Sequence, residues 1–447
     1  MSLDSPPNDA PIENLQTLLS YHLSGAKERA QRKLGLEHEL FGFDPRGNPA
    51  SVEQLRALLR SMCNDFGWEP QESAKEPEAM LGLRKGAAHI AVEPGGQLEL
   101  ASGVHHQLDA LKQELEDYVL QLRTASAPLG LRWLAVGSRP HHRPEEIEWM
   151  PRRRYAVMRE CLRACGISAE HMMKCTCTVQ PNLDFENEED LRSILILGHQ
   201  LCPIVLALFA NSPFRDGRPS GLMSTRSLYW SQTDPNRTGY FPCISEPDFE
   251  LIDWLRHVYS IPTLLQRDGN ALRPCGLPFS ALVEQRHREG RDATLGDWEL
   301  HLSTIFPVIR FKRHVEFRCA DGVPQPYMLA MAALWKGLLY DPQARAELPL
   351  LLARPTHQEL LDRHERAMRL ALADDELRTL ARQAVELARQ GLGRLGANEA
   401  ALLDPLESLL EHGSLAQQWL RAYAANPAAG IVPSASQWPM MADGVQA

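Results

Sequence analysis

Between Val308 and Cys319 the chain alternates so regularly that few backbone conformations suit it. Arg310, Lys312, His314, Glu316 and Arg318 share one parity; Ile309, Phe311, Arg313, Val315, Phe317 and Cys319 share the other. Successive side chains of a strand point to opposite faces, so a period of two predicts one polar and one mostly apolar face. Met172–Phe185 behaves alike, with Lys174, Thr176, Thr178, Gln180, Asn182 and Asp184 opposite Met173, Cys175, Cys177, Val179, Pro181, Leu183 and Phe185. A sheet of such strands buries one face against helices and leaves the other for polar chemistry.

The remaining strand signals are Leu34–Phe43, His89–Glu93, Gln97–Ala101 and Arg132–Gly137, and helical periodicity marks Val52–Phe66, Val104–Arg123 and Glu188–Phe209. Without regular β–α alternation, they predict an α+β fold with helices against a largely antiparallel sheet. Residues 30–345 form the expected main domain, after a partly disordered leader over 1–29. Residues 346–424 read as a helical appendage (Thr356–Leu372, Asp375–Gln390, Asn398–Glu411) and 425–447 as a loose tail.

A net charge of -10 argues against bulk nucleic-acid binding, which needs a basic surface excess. The polar, proline-bearing Met1–Pro11 has no basic-then-apolar signal pattern, so a cytoplasmic location is expected. The apolar run Ile194–Ala210 is interrupted by Gly198, His199, Gln200 and Pro203, which favours a buried helix over a membrane span. Nine cysteines, an odd number, are expected as reduced thiols, with Cys175 and Cys177 facing the core. Gly391–Gly396 matches G-x-G-x-x-G, but a helical segment precedes it where a dinucleotide site requires a strand. It reads as a helix terminus and linker. No G-x-x-x-x-G-K-[ST] loop occurs, so a nucleotide would need another design.

Carboxylates recur on the strands. Glu37 and Glu39 share a face of Leu34–Phe43, and Glu93 and Glu99 flank the turn Pro94–Gly95–Gly96. Two like charges about 4 Å apart repel by on the order of 4 kcal/mol at an effective dielectric near 20, which solvent or cations must relieve. Glu316 and Arg318 pair a potential metal ligand with a guanidinium suited to a phosphoryl group. Each pattern alone is equally a solvated or salt-bridged strand face.

In order, the motifs GLEHELFGF (35–43), AVEPGGQLELAS (91–102), IEWMPRRRYAVMR (147–159), CTVQPNLDF (177–185), ALFANSPFRDGRPSG (207–221), STRSLYW (224–230), DPNRTG (234–239) and DWELHLSTIFPVIRFKRHVEFRCADG (297–322) resemble the plant and proteobacterial type of glutamate–cysteine ligase, in the glutamine-synthetase-like superfamily. The resemblance implies a curved, mostly antiparallel six-stranded sheet with helices on its convex side. It implies ATP as co-substrate, two or three Mg2+ ions, and ligation of the glutamate γ-carboxylate to cysteine through an acyl phosphate. Glu37, Glu39, Glu93, Glu99 and Glu316 would be metal ligands, and Arg318 would touch the phosphoryl group. Arg154 and Arg226 would grip a carboxylate or phosphate, and Gln180, Asn182 and Asn211 would line the substrate site. Glutamate, cysteine and ATP are the implied partners, with no nucleic acid and no membrane; a homodimer is left open.

Two departures stand out. The family's Met-Tyr after Val-Pro reads Thr263-Leu264 here, at an expected wall of the substrate pocket, and Cys319 follows Arg318 where the family has glycine. The first leaves a ligase for another amine as the alternative. A non-catalytic nucleotide-binding regulator and a metal-dependent phosphohydrolase are further readings.

Overall fold

Strand β1 (Leu34–Phe43) is the axis of the computed structural model, which describes residues 8–71, 80–269, 271–396 and 398–427. Around it run β2 (Glu69–Pro70), β3 (Gly82–Lys85), β4 (Ala88–Val92), β5 (Gln97–Ala101), β6 (Arg132–Leu134), β7 (Val179–Leu183), β8 (Ile309–Phe311) and β9 (Val315–Phe317). They form one antiparallel sheet in the order β8-β9-β7-β1-β5-β4-β3-β2, with β6 on the C-terminal half of β1. The expected six strands thus become nine, because the Val308–Cys319 stretch folds back on itself and short β2 and β3 join.

That fold-back corrects the first sequence expectation. Val308–Cys319 is a hairpin, with Lys312, Arg313 and His314 at its turn and the Lys312 N–H donating to the His314 carbonyl (2.9 Å). Arg310 pairs with Glu316, and paired residues share a face, so the polar parity survives the bend. Met172–Phe185 also divides: Ala169–Cys175 is helical and only Val179–Leu183 is strand. Lys174 is thereby removed from the polar row and buried at a helix end.

The apolar sheet face packs on the helices Glu188–Phe209 and Tyr327–Tyr340. Phe317 stacks on Trp335 with ring centroids 3.9 Å apart. Gly198 allows this approach, since a Cβ there would lie 2.7 Å from Ile309 and 2.8 Å from Phe317. By length and composition Glu188–Phe209 could cross a membrane, yet it is enclosed by the protein's own core.

Residues 8–29, expected within a partly disordered leader, are not detached from the core. Helix Leu15–Leu23 buries Leu18, Leu19 and His22. His22 Nδ1 donates to the Lys312 carbonyl (2.6 Å) while its Nε2 accepts from Trp298 Nε1 (3.0 Å), so the N-terminal helix holds the β8–β9 turn. Residues 1–7 and 428–447, where the rest of the leader and most of the tail were expected, lie outside the described residues.

The helices beyond residue 346 are no appendage either. Leucines and alanines of Asp375–Arg394 join the apolar cluster that contains β1 and Tyr327–Tyr340. Gly391, first of the decoy motif, is a close crossing: a Cβ there would meet the Gly337 carbonyl at 2.2 Å. In His357–Leu370, the Met368 carbonyl accepts from the N–H groups of Met223 and Ser224, and His364 Nε2 lies 2.8 Å from Ser227 Oγ. The C-terminal helices therefore support the helix that carries Arg226.

Candidate active site

The polar sheet face gathers most of the singled-out residues. Antiparallel register sets Glu39 opposite Glu99, Glu37 opposite Gln180, and Asn182 opposite Glu316. Glu93 sits at the β4–β5 turn, its N–H donating to the Gln97 carbonyl (2.8 Å), and Gly96 closes the turn at φ +80°, where a side chain would be strained.

Two electrostatic halves meet on this face. In the acidic half, burial raises the Glu39 carboxyl well above the usual range, and Glu99 and Glu93 add to it. Burial also pushes Glu99 up to about 8, reinforced by Glu93, Glu37 and Glu316. Like charges directly opposite across a sheet destabilise it. Glu39 Oε2 accepts from the Thr178 N–H (3.1 Å) and Glu37 Oε1 from Asn182 Nδ2 (3.4 Å), bonds too few to offset the repulsion.

The basic half centres on Glu316. Its Oε2 accepts from Arg310 Nε (2.5 Å) and Arg318 Nη1 (3.1 Å), and its Oε1 from Lys312 Nζ (3.2 Å). Burial alone would raise this carboxyl, but Arg310, Lys312 and Arg318 hold it well below the usual range. Glu316 is therefore the anchor of a cationic cage, with both oxygens engaged. Arg310 and Lys312 were not among the candidate residues, although they share the alternation that singled out Glu316.

Arg318 Nη1 also donates to Gln180 Oε1, and Arg226 Nη2 donates to the Arg318 carbonyl (2.9 Å). Both guanidiniums lie near the Trp230 ring, at 5.8 Å. Arg154 starts the helix Arg153–Arg163 and is tied to Ser303 by Nη1 on Oγ (3.0 Å) and Nη2 on the carbonyl (2.9 Å). Burial lowers its pKa to about 10, with the charge of Glu93 acting in the opposite sense.

Asn211 is the exception. It is buried, and its Nδ2 donates to the carbonyls of Ala135 (3.0 Å) and Gly322 (2.9 Å), so its amide nitrogen is spent on the scaffold. It frames Asp321, which sequence reasoning missed. Asp321 accepts from the Asn211 N–H (2.8 Å), Ser212 Oγ (2.7 Å) and Ser224 Oγ (2.7 Å), under the charge of Arg226. Removing a buried hydrogen-bonded carboxylate orphans its donors, so Asp321→Ala is expected to cost about 3 kcal/mol in urea denaturation. Thr263 and Leu264 are buried as well, and the Leu264 carbonyl faces Cys161 Sγ (3.6 Å) on the helix of Arg154. Their link to the site runs through that helix.

Oxygen-only donors clustered in a partly dehydrated place suit a hard divalent cation such as Mg2+. Among the described residues no three acidic, histidine or cysteine side chains are close enough to grip one as placed. The fit is thus in donor chemistry and charge demand, and Glu37, Glu39, Glu93 and Glu99 would have to rotate to converge on an ion.

The fold has a counterpart among solved structures. It matches the crystal structure of the glutamate–cysteine ligase of Francisella tularensis in complex with AMP, with a TM-score of 0.54, 12% identity, and coverage of 93% of this chain and 88% of that one. The chain belongs to glutamate–cysteine ligase family 2, whose model matches residues 33–437. The chloroplastic glutamate–cysteine ligase of Brassica juncea is 34% identical over 422 residues, 92% of this chain and 82% of that one. The chloroplastic enzyme of Arabidopsis thaliana is also 34% identical, over 92% and 80%.

Proposed function

We propose that this ligase joins the γ-carboxylate of glutamate to the amine of cysteine with ATP as the energy source, giving γ-glutamylcysteine, ADP and phosphate. Family membership over residues 33–437 and relatives named for glutamate and cysteine support the substrates. The observation that carries the chemistry is the apposition, on one sheet face, of under-compensated carboxylates and an arginine cage. Such a face accepts a polyanion only with cations on its acidic side.

In this reading Glu37, Glu39, Glu93 and Glu99 hold Mg2+, which when bound screens the nucleotide phosphates from those acids. Glu316 orients Arg318 and Arg310 instead of adding a further ligand, which narrows the role expected of it. Arg318, fixed by Glu316 and Gln180, and Arg226, fixed on the Arg318 carbonyl, aim N–H donors at the γ-phosphoryl group as the glutamate carboxylate attacks it. The amine then attacks the acyl phosphate and phosphate leaves. Arg154 meets the α-carboxylate of glutamate. Positioning and charge stabilisation supply most of the acceleration.

The second reading, a different amine, is favoured by Thr263–Leu264, since these residues back the helix of Arg154. ATP, Mg2+ and glutamate with cysteine or a panel of amines separates the two. Cysteine is expected to accelerate ADP release at least tenfold and to appear in the product mass. ADP release no faster with cysteine than without it would sink the proposal.

A further inference from the structure

A cavity of about 260 Å3, sharing no residue with the acid-bearing sheet face, lies where the segment before β1 meets the helices Glu188–Phe209 and Pro342–Leu352. Arg29, Arg32, Arg345, Asp190, Ser193 and Tyr340 line it. Three guanidiniums therefore face one carboxylate, and that carboxylate is already shared. Asp190 pairs with Arg345 Nη1, lies 3.7 Å from Arg32 Nη1, and accepts the Glu186 N–H (2.7 Å). Arg29 meets only Glu186, at 3.2 Å, and that pair is partly exposed.

Arg32 is the informative member. Its side chain is 4% exposed, its guanidinium lies 4.3 Å from the centre of the Tyr340 ring, and its Nη2 donates to the Tyr340 carbonyl (3.2 Å). Among the described residues its Nε–H has no hydrogen-bond partner. A buried charged donor without a partner is costly and uncommon. Burial lowers the Arg32 pKa, Asp190 acts against it, and Arg345 and Arg29 add smaller repulsions.

We propose that this cavity is a second anion site that binds a small phosphate-type oxyanion, apart from any nucleotide on the sheet face. Planar guanidinium forks match tetrahedral oxyanions, and a serine hydroxyl can donate to one. With Glu186 on Arg29 and Asp190 between Arg32 and Arg345, three cations meet two carboxylates, and the one positive charge left over favours an oxyanion. Its occupant would cross-link Arg29 and Arg32, just before β1, to Arg345 beside the C-terminal helices, so binding should stiffen that junction.

Calorimetric titration of the full chain with inorganic phosphate at fixed ionic strength tests this. An Arg318→Met background weakens phosphate binding on the sheet face. Ser193→Asp then places a carboxylate among the three guanidiniums. One phosphate per chain is expected to bind in the Arg318→Met protein, to raise its Tm, and to bind at least tenfold more weakly once Ser193→Asp is added. If Ser193→Asp does not fold, Arg29→Glu at the rim takes its place, with the same tenfold weakening expected. Phosphate binding that is absent, or that neither substitution weakens, would overturn the proposal. So would glutarate binding as tightly as phosphate, since the site would then read charge alone.

Discussion

Replacing Glu316 with alanine is expected to lower ATP turnover by about two to three orders of magnitude and stability by about 3–5 kcal/mol. Both effects have one cause. The carboxylate holds Arg310, Lys312 and Arg318, and its loss leaves three buried cations facing one another. Arg318 then loses one of the two side-chain partners that aim it, keeping only Gln180. Glu316→Gln keeps the size and one acceptor, so it should regain part of the stability but little of the rate. Urea denaturation with a coupled ADP assay reads both quantities. Unchanged activity in Glu316→Ala would remove the cage from the mechanism altogether.

Glu99→Gln should move stability and activity in opposite directions. The Glu99 carboxyl is raised to about 8 in the folded chain from an ordinary value of 4.5, so the folded state binds its proton more tightly. Its contribution to stability is fully present below about pH 4.5 and is lost as pH rises through about 8, at roughly 1.4 kcal/mol for each pH unit crossed between those values. Metal-free protein should therefore lose Tm between pH 5 and 8.5. Glu99→Gln, with no proton to lose, should show a flatter profile and the higher Tm at pH 8.5. Added Mg2+ should stabilise the native protein more as pH rises and the variant much less, while the variant's turnover falls at least a hundredfold. Equal Mg2+ stabilisation of both proteins would show that Glu99 is not part of the cation site.

The strands that align the acids were readable because their sequence problem is local. Glu37 and Glu39 share one parity in Leu34–Phe43, Gln97–Leu100 alternates polar with apolar, and Pro94–Gly95–Gly96 announces its own turn. Val52–Phe66 carries a serine cap with Gln54 three residues on, so both of its ends were also legible. The β8–β9 hairpin was not, because Lys312-Arg313-His314 contains none of the usual turn residues and the bend preserves parity. Asp321 and Asn211 show the other limit. Their partners lie 76 to 111 positions away along the chain, and no spacing rule connects them. The C-terminal helices looked detached for a similar reason. Their alanine- and leucine-rich faces advertise helix, but only the Gly337–Gly391 crossing reveals against what they pack.

The two electrostatic halves of the sheet face also set an order of events during synthesis. Glu37, Glu39, Glu93 and Glu99 leave the ribosome long before Arg310, Lys312 and Arg318 exist. At translation rates of about 5–20 residues per second, the wait is on the order of 10–40 seconds. During it β1 can pair with β5 and then with β7, but the β8–β9 hairpin and its cations are still unmade. The nascent chain must carry a clustered negative charge through that interval, protonated or screened by ambient cations. Scarce ambient cations are therefore expected to lower the yield of folded protein, which refolding with and without divalent cations would read.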